Sequence, residues 1–385
     1  MATEAEQVPR LGAPPAKRRT EGRLLMNQSR VAPWLWVAPL AGCVVLAASL
    51  VVRHPLFALL DGAALIACVL AAVHHAEVVA HRVGEPFGTL LLALAVTVIE
   101  VALIVSLMLT GGAATVALAR DTVFAAIMII LNGMVGVCLL LGATRHGEQS
   151  FGLYGVNATL AALAAITVIT LVLPNATTTA SGPSYSTSQL AFVAVVSLAL
   201  YGVFVLVQTV SHRDYFLPQR GSVLTETENA PRPRIGATAF SAVLLIVCLG
   251  AVILLAKAIA PVIEAGVDSV QAPKAVVGVI VAAIVLLPES LAALTAARAN
   301  RLQTSLNLAL GSAMASIGLT IPTVAAVSIA TGWTLVLGLD PSSTILLALS
   351  LLVAALSLGT GRTTVLQGAV HLVIFGVYLF TTVVP

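Results

Sequence analysis

The chain has 385 residues, of which 59% are hydrophobic and 9% charged, with a formal net charge of +3. Soluble domains carry roughly 25% charged residues, so this composition excludes a water-soluble globular protein and implies an integral membrane protein. The small net charge gives no reason to expect a nucleic-acid partner, and the placement of the basic residues says more than their sum.

Residues 1–30 are basic and contain prolines, and read as a disordered cytoplasmic tail. Beyond them, apolar stretches of about 17 to 25 residues recur between short polar breaks, each long enough to cross a hydrocarbon core of roughly 30 Å as a helix. About eleven transmembrane helices are expected. The first, within 31–54, has no small-residue cleavage site and reads as a retained helix rather than a signal peptide. Five more fill residues 55–210, approximately Pro55–Val73, Phe87–Leu109, Asp121–Ala143, Val156–Leu173 and Leu190–Val210. A cytoplasmic linker at 211–237, containing TETENAPRPRIG, precedes the last five in 238–385, approximately Thr238–Val262, Ala275–Ala297, Thr304–Ala330, Ser342–Leu358 and Thr364–Val384. These runs are apolar on every face, whereas a membrane barrel needs strands of about ten alternating residues.

Placing the N-terminal tail in the cytoplasm puts fifteen of the 19 Lys and Arg on that side and only Arg53, Arg120 and Lys274 on the other, with Lys257 near the outer end of a helix. The positive-inside bias therefore predicts a multi-pass protein of the bacterial plasma (inner) membrane with its N-terminus cytoplasmic and its C-terminus outside. The four cysteines all lie inside apolar runs, without disulfide or zinc spacing.

Five helices is an odd number. If each set of five is one ancestral unit, the second enters the membrane from the opposite side, as in the inverted repeats of secondary transporters. Equivalent positions support this. Glu100, in TLLLALAVTVIEVALIV, and Glu289, in VLLPESLAAL, each lie in the second helix of a set, near the midplane. A charge at that depth costs roughly 2.5–3.5 kcal/mol on insertion scales. No Arg or Lys sits at matching depth, so the compensating partner is a cation or protons. Carboxylate oxygens suit a hard ion such as calcium, and an empty buried carboxyl takes up a proton instead. Pro288 is expected to break or kink its helix and free carbonyls beside Glu289.

The stretches HHAEVVAHRVGEPFGTLLLALAVTVIEVALI, VVGVIVAAIVLLPESLAAL, NLALGSAMASIGLTIP and TGRTTVLQGAVHL together resemble the bacterial ChaA-type calcium/proton antiporters of the cation/calcium exchanger superfamily. The resemblance runs from about Pro33 to the end. It implies one N-terminal helix plus two inverted five-helix repeats, exporting calcium, or sodium or potassium, against protons. By position it places the repeat-motif acids on Glu100 and Glu289, the motif glycines on Gly84 and Gly88, and the acid of the preceding helix on Glu77. It puts the third-helix asparagine on Asn132 and the second-repeat Gly-Ser region on Gly311, Ser312 and Ser316. Where many members have Gly-Asn before the first acid, this chain has Val96 and Thr97, and before the second it has Leu287 and Pro288. Thr97, one turn from Glu100, is a candidate replacement ligand.

HHAEVVAH puts His74, Glu77 and His81 on one helix face near the cytoplasmic mouth, with His75 and Glu85 close by. It reads either as a solvated interfacial cluster or as a proton pathway or pH sensor. Asp61, Asp121, Glu264, Asp268 and Asp340 read as outer boundary acids or an ion vestibule, and Asn132 as either an ion ligand or an interhelical hydrogen bond. The expectation is a cation/proton antiporter, calcium first, working by alternating access with no cofactor. The rivals are a monovalent-cation/proton antiporter, a passive channel and a metalloenzyme on His74, His75 and His81. The last lacks HExxH, and no P-loop points to ATP-driven pumping.

Overall fold

The computed structural model describes residues 34–51, 55–84, 87–111, 116–216 and 233–384. The expected tail, Glu85 and most of the linker lie outside these residues. With no water in the hydrocarbon core to satisfy backbone groups, apolar runs must bond within themselves, and the described chain is a succession of helical rods. They are α1 (Trp34–Val51), α2 (Pro55–Val83), α3 (Phe87–Gly111), α4 (Leu118–His146), α5 (Leu153–Ala176), α6 (Thr187–Ser211), α7 (Ile235–Ser269), α8 (Ala275–Arg298), α9 (Leu302–Thr331), α10 (Pro341–Leu358) and α11 (Val365–Val383). Nine are long and apolar enough to cross a membrane among the described residues, and Trp34–Ser49 and Leu94–Met108 add shorter apolar helical stretches.

Sequence marks the ends. Ser186 with Gln189 and Thr364 with Gln367 form capping boxes at the starts of α6 and α11. Asp340 caps α10 by accepting the Ser343 N–H at 2.9 Å. Gly84, at φ +80°, follows the last turn of α2 in a conformation that disfavours a side chain. Two expectations are corrected. Helix α2 does not stop at Val73 but continues ten residues to Val83, and HHAEVVAH is helical, in keeping with its one-face spacing. The alternative of a break at Pro288 is corrected, since α8 is continuous from Ala275 to Arg298; the interior proline removes one N–H and leaves the carbonyl of Ile284 without its helical donor, as expected.

Helices α2–α6 and α7–α11 are two halves related by exchange. The first helices, α2 and α7, pack along each other, and α1 lies against both. The third helix of each half packs on the last helix of the other, α4 on α11 and α9 on α6. The second of each packs on the third of the other, α3 on α9 and α8 on α4. Every relation thus has a counterpart, which is the pattern of a two-fold axis in the membrane plane. At one face, strands β1 (Gln149–Ser150) and β2 (Arg362–Thr363) pair antiparallel, joining the connector after α4 to that after α10. At the opposite face the segment before α10 is tied down through Leu339 N–H to the Leu171 carbonyl at 2.9 Å and the Asn175 amide to the Leu339 carbonyl at 2.6 Å.

Candidate cation-binding site

The second helices bring Glu100 and Glu289 to one cavity of about 310 Å³. Glu100 comes from α3 and Glu289 from α8, each just past the middle of its helix. Glu100 is 3% exposed, and its Oε1 accepts a hydrogen bond from Ser316 Oγ of α9 at 2.7 Å. Glu289 Oε2 is buried with no hydrogen-bond partner among the described residues. A buried polar atom without a partner carries a desolvation cost of about 1–3 kcal/mol, more when charged. An arriving cation or proton removes it.

Helix α9 supplies the cavity's polar wall. Thr304, Asn307, Gly311, Ser312 and Ser316 all line it, at spacings of three or four residues apart from the Gly311–Ser312 step. A Cβ on Gly311 would meet nothing within 4 Å, so this glycine keeps space open rather than admitting a neighbouring helix. Thr97 lines the wall beside Glu100. From α6 come Tyr201, Phe204, Gln208 and Thr209, the last two within a π turn at Val207–Ser211. A π turn adds a residue to the helical repeat and shifts the face that follows. The cavity runs from the midplane carboxylates toward the end of α6 and the start of α9, at the face that carries the β1–β2 pair.

Asn132 does not join this group. It is fully buried in a π segment of α4, where its amide donates to Ser350 Oγ at 2.8 Å and its oxygen lies 3.2 Å from His371 Nδ1. Both ends of the side chain are engaged by α10 and α11, so in this structure Asn132 ties helices together and does not line the cavity. The histidine cluster divides as well. His75, 1% exposed, bonds the Leu35 carbonyl at 3.2 Å and Ser241 Oγ at 3.3 Å, fastening α2 to α1 and α7. Because the carbonyl only accepts, Nε2 carries the proton and Nδ1 accepts from the serine hydroxyl. His74 is half-buried, and Glu77 and His81 are exposed. No three His, Cys, Asp or Glu side chains converge on a metal geometry among the described residues. Gly88 falls in the first turn of α3.

Sequence reading missed Gln208, Thr209, Thr304 and Asn307. Asn307 lies one turn before Gly311 in an apolar helix, and that i, i+4 spacing is the signal that could have found it.

Comparison with known proteins follows the same division of the chain. The model of the family described as sodium/calcium exchanger protein matches residues 53–210 and 240–384, which coincide with the two halves. The chain belongs to the sodium/calcium exchanger family. This exchanger is 48% identical over 370 residues to the putative ionic transporter y4hA of Sinorhizobium fredii, across 95% of its own length and 100% of that protein. It is 40% identical over 310 residues to the sodium-potassium/proton antiporter ChaA of Escherichia coli, across 80% of its length and 84% of ChaA. Its fold superposes on the Ca2+/H+ antiporter protein YfkE with a TM-score of 0.69 at 15% identity, covering 92% of this chain and all of that one. On the H+/Ca2+ exchanger CAX the score is 0.66 at 14% identity, covering 94% and 88%. The exchanger is therefore a multi-pass secondary transporter and not an enzyme.

Proposed function

We propose that this exchanger moves calcium against protons across the bacterial inner membrane by alternating access, with Glu100 and Glu289 binding either one cation or protons. The observation that carries the reading is the meeting of two carboxylates from opposite halves in one cavity, one of them with an unpartnered buried oxygen. Two ionised carboxylates balance a divalent charge, and the hydroxyls of Thr97, Ser312 and Ser316 add hard oxygen donors. YfkE and CAX carry calcium/proton exchange in their names, and their fold is this fold.

Empty, the site holds two like charges in a poorly solvated cavity and must take protons or a cation before it reorients. That requirement couples the two fluxes. The N-terminal tail is assigned to the cytoplasm, which makes the cavity mouth cytoplasmic and the structure inward-facing. Glu77, His74 and His81, at that end of α2, are candidates for delivering or sensing protons there.

The name of ChaA favours a second reading, exchange of sodium or potassium for protons at the same two glutamates. Everted vesicles with an acid interior separate the two: adding calcium collapses the proton gradient under the first reading, and only sodium or potassium does so under the second. Glu100→Gln and Glu289→Gln should each abolish the response to the effective cation. Intact exchange in either variant rejects the site.

A further inference from the structure

The two halves end in the same aromatic motif read in opposite orders. Helix α6 carries Tyr201-Gly202-Val203-Phe204, and α11 carries Phe375-Gly376-Val377-Tyr378. The ring pairs have the same geometry. Tyr201 and Phe204 centroids are 6.4 Å apart at 36°, and those of Phe375 and Tyr378 are 6.3 Å apart at 34°. In each, the first ring rests on a glycine of the third helix of the other half. A Cβ on Gly318 would lie 2.8 Å from Tyr201 Cβ, and one on Gly133 would lie 3.3 Å from the Phe375 ring.

Their surroundings differ. Tyr201 and Phe204 line the open cavity. At the opposite end, Tyr378 is 3% exposed and meets Phe124 of α4 edge to face, with centroids 5.4 Å apart at 85°. Beside it, α8 closes on α4 at backbone distance, because a Cβ on Gly278 would lie 2.9 Å from the Asp121 carbonyl carbon and the Thr122 nitrogen. This crossing buries Thr122 completely and leaves its hydroxyl without a hydrogen-bond partner among the described residues. A buried unpaired hydroxyl is disfavoured, and it gains a partner if water reaches α4. Arg120 tightens the same end, bonding Asp121 at 2.8 Å and the Gly338 carbonyl at 3.0 Å.

We infer that Phe124 and Tyr378, over the Gly278 crossing, are the closed gate on the face opposite the cavity, and that Phe204, the two-fold counterpart of Tyr378, lines the corresponding passage at the open end. The inference rests on the alternating-access reading and adds the residues that perform it. Cation passage to the opposite face requires α8 to leave α4 at Gly278 and the Phe124–Tyr378 contact to part. Thr122 then faces the outer passage.

The test is labelling by a membrane-impermeant maleimide in everted vesicles and in spheroplasts. The reporter is Thr122→Cys on a Cys43→Ser background, since Cys43 is exposed and the other three cysteines are buried. With the gate intact, Thr122→Cys should stay unlabelled from both faces, while Gln208→Cys is labelled from the cavity face and reports a folded protein. Adding Tyr378→Ala, or separately Phe124→Ala, should raise labelling of Thr122→Cys from the opposite face about tenfold by removing the bias toward the closed state. The proposal is overturned if Thr122→Cys labels freely with both rings in place. It is equally overturned if neither ring deletion raises labelling while Gln208→Cys still reacts. Labelling reads access rather than flux, so a protein that exchanged no cation for protons would sink the functional reading and leave this result standing.

Discussion

Glu100 and Glu289 hold equivalent positions in the two halves, yet their oxygens are not equally engaged. Ser316 donates to Glu100, whereas Oε2 of Glu289 has no partner. A hydrogen bond to a charged group contributes about 1.5–3 kcal/mol. Ser316→Ala should therefore raise the cation concentration for half-maximal exchange by about tenfold or more, with exchange retained at saturation, measured as cation-dependent proton flux. Gly311 offers the converse experiment. Its missing side chain borders open cavity, so Gly311→Leu should block exchange while leaving thermal stability in detergent nearly unchanged. The glutamate pair was legible in the sequence because an uncompensated intramembrane charge is costly enough to be conspicuous. Asn132 was legible as polar but not as to its use, since an amide at mid-helix serves an ion or a neighbouring helix equally well until the neighbours are known.

Among the helices, apolar length located every rod, because the membrane imposes one length on all of them. It did not locate their ends. Polar residues at the interface stay helical when nothing in the backbone stops them, which is how α2 reaches Gly84. Nor do the π turns in α4, α5 and α6 leave a trace in the apolar pattern, and the turn in α6 sets which residues reach the cavity. Contacts between particular helices depend on glycines. At the α4–α11 contact a Cβ on Gly368 would lie 2.5 Å from Leu140 N. Gly368→Val should cost about 1–3 kcal/mol or more by overpacking, seen as earlier unfolding in detergent. The cap on α10 has a pH signature. Burial works against ionising Asp340, but hydrogen bonds from Ser343 and Ser342 outweigh it and hold the carboxyl below its ordinary value of 3.8. A carboxyl depressed in the folded state stabilises it above the ordinary pKa, and that contribution is lost as pH falls through the lower, folded value. Asp340→Ala should accordingly cost about 1 kcal/mol near neutrality, and the difference between variant and parent should shrink toward zero in acid unfolding below that value.

Across the whole molecule, the exchange symmetry of the halves explains why one site needs both. Each half contributes one carboxylate, and the last helix of each covers the third helix of the other. The symmetry was legible from an odd number of helices per set and one acid in each second helix. The unequal opening of its two ends was not, because the same sequence serves both conformations and a state is a property of packing. The cavity also holds two carboxylates and no Lys or Arg among its lining residues. In the proposed cycle one calcium ion brings two positive charges to this pair and two protons bring the same, so the loaded site would be neutral on both legs. Moving one elementary charge through 100 mV is worth about 2.3 kcal/mol. A neutral site in transit exchanges none of that work with the field. Imposing a potassium diffusion potential on proteoliposomes should therefore leave the rate of calcium-for-proton exchange unchanged, driven by chemical gradients alone and indifferent to membrane voltage.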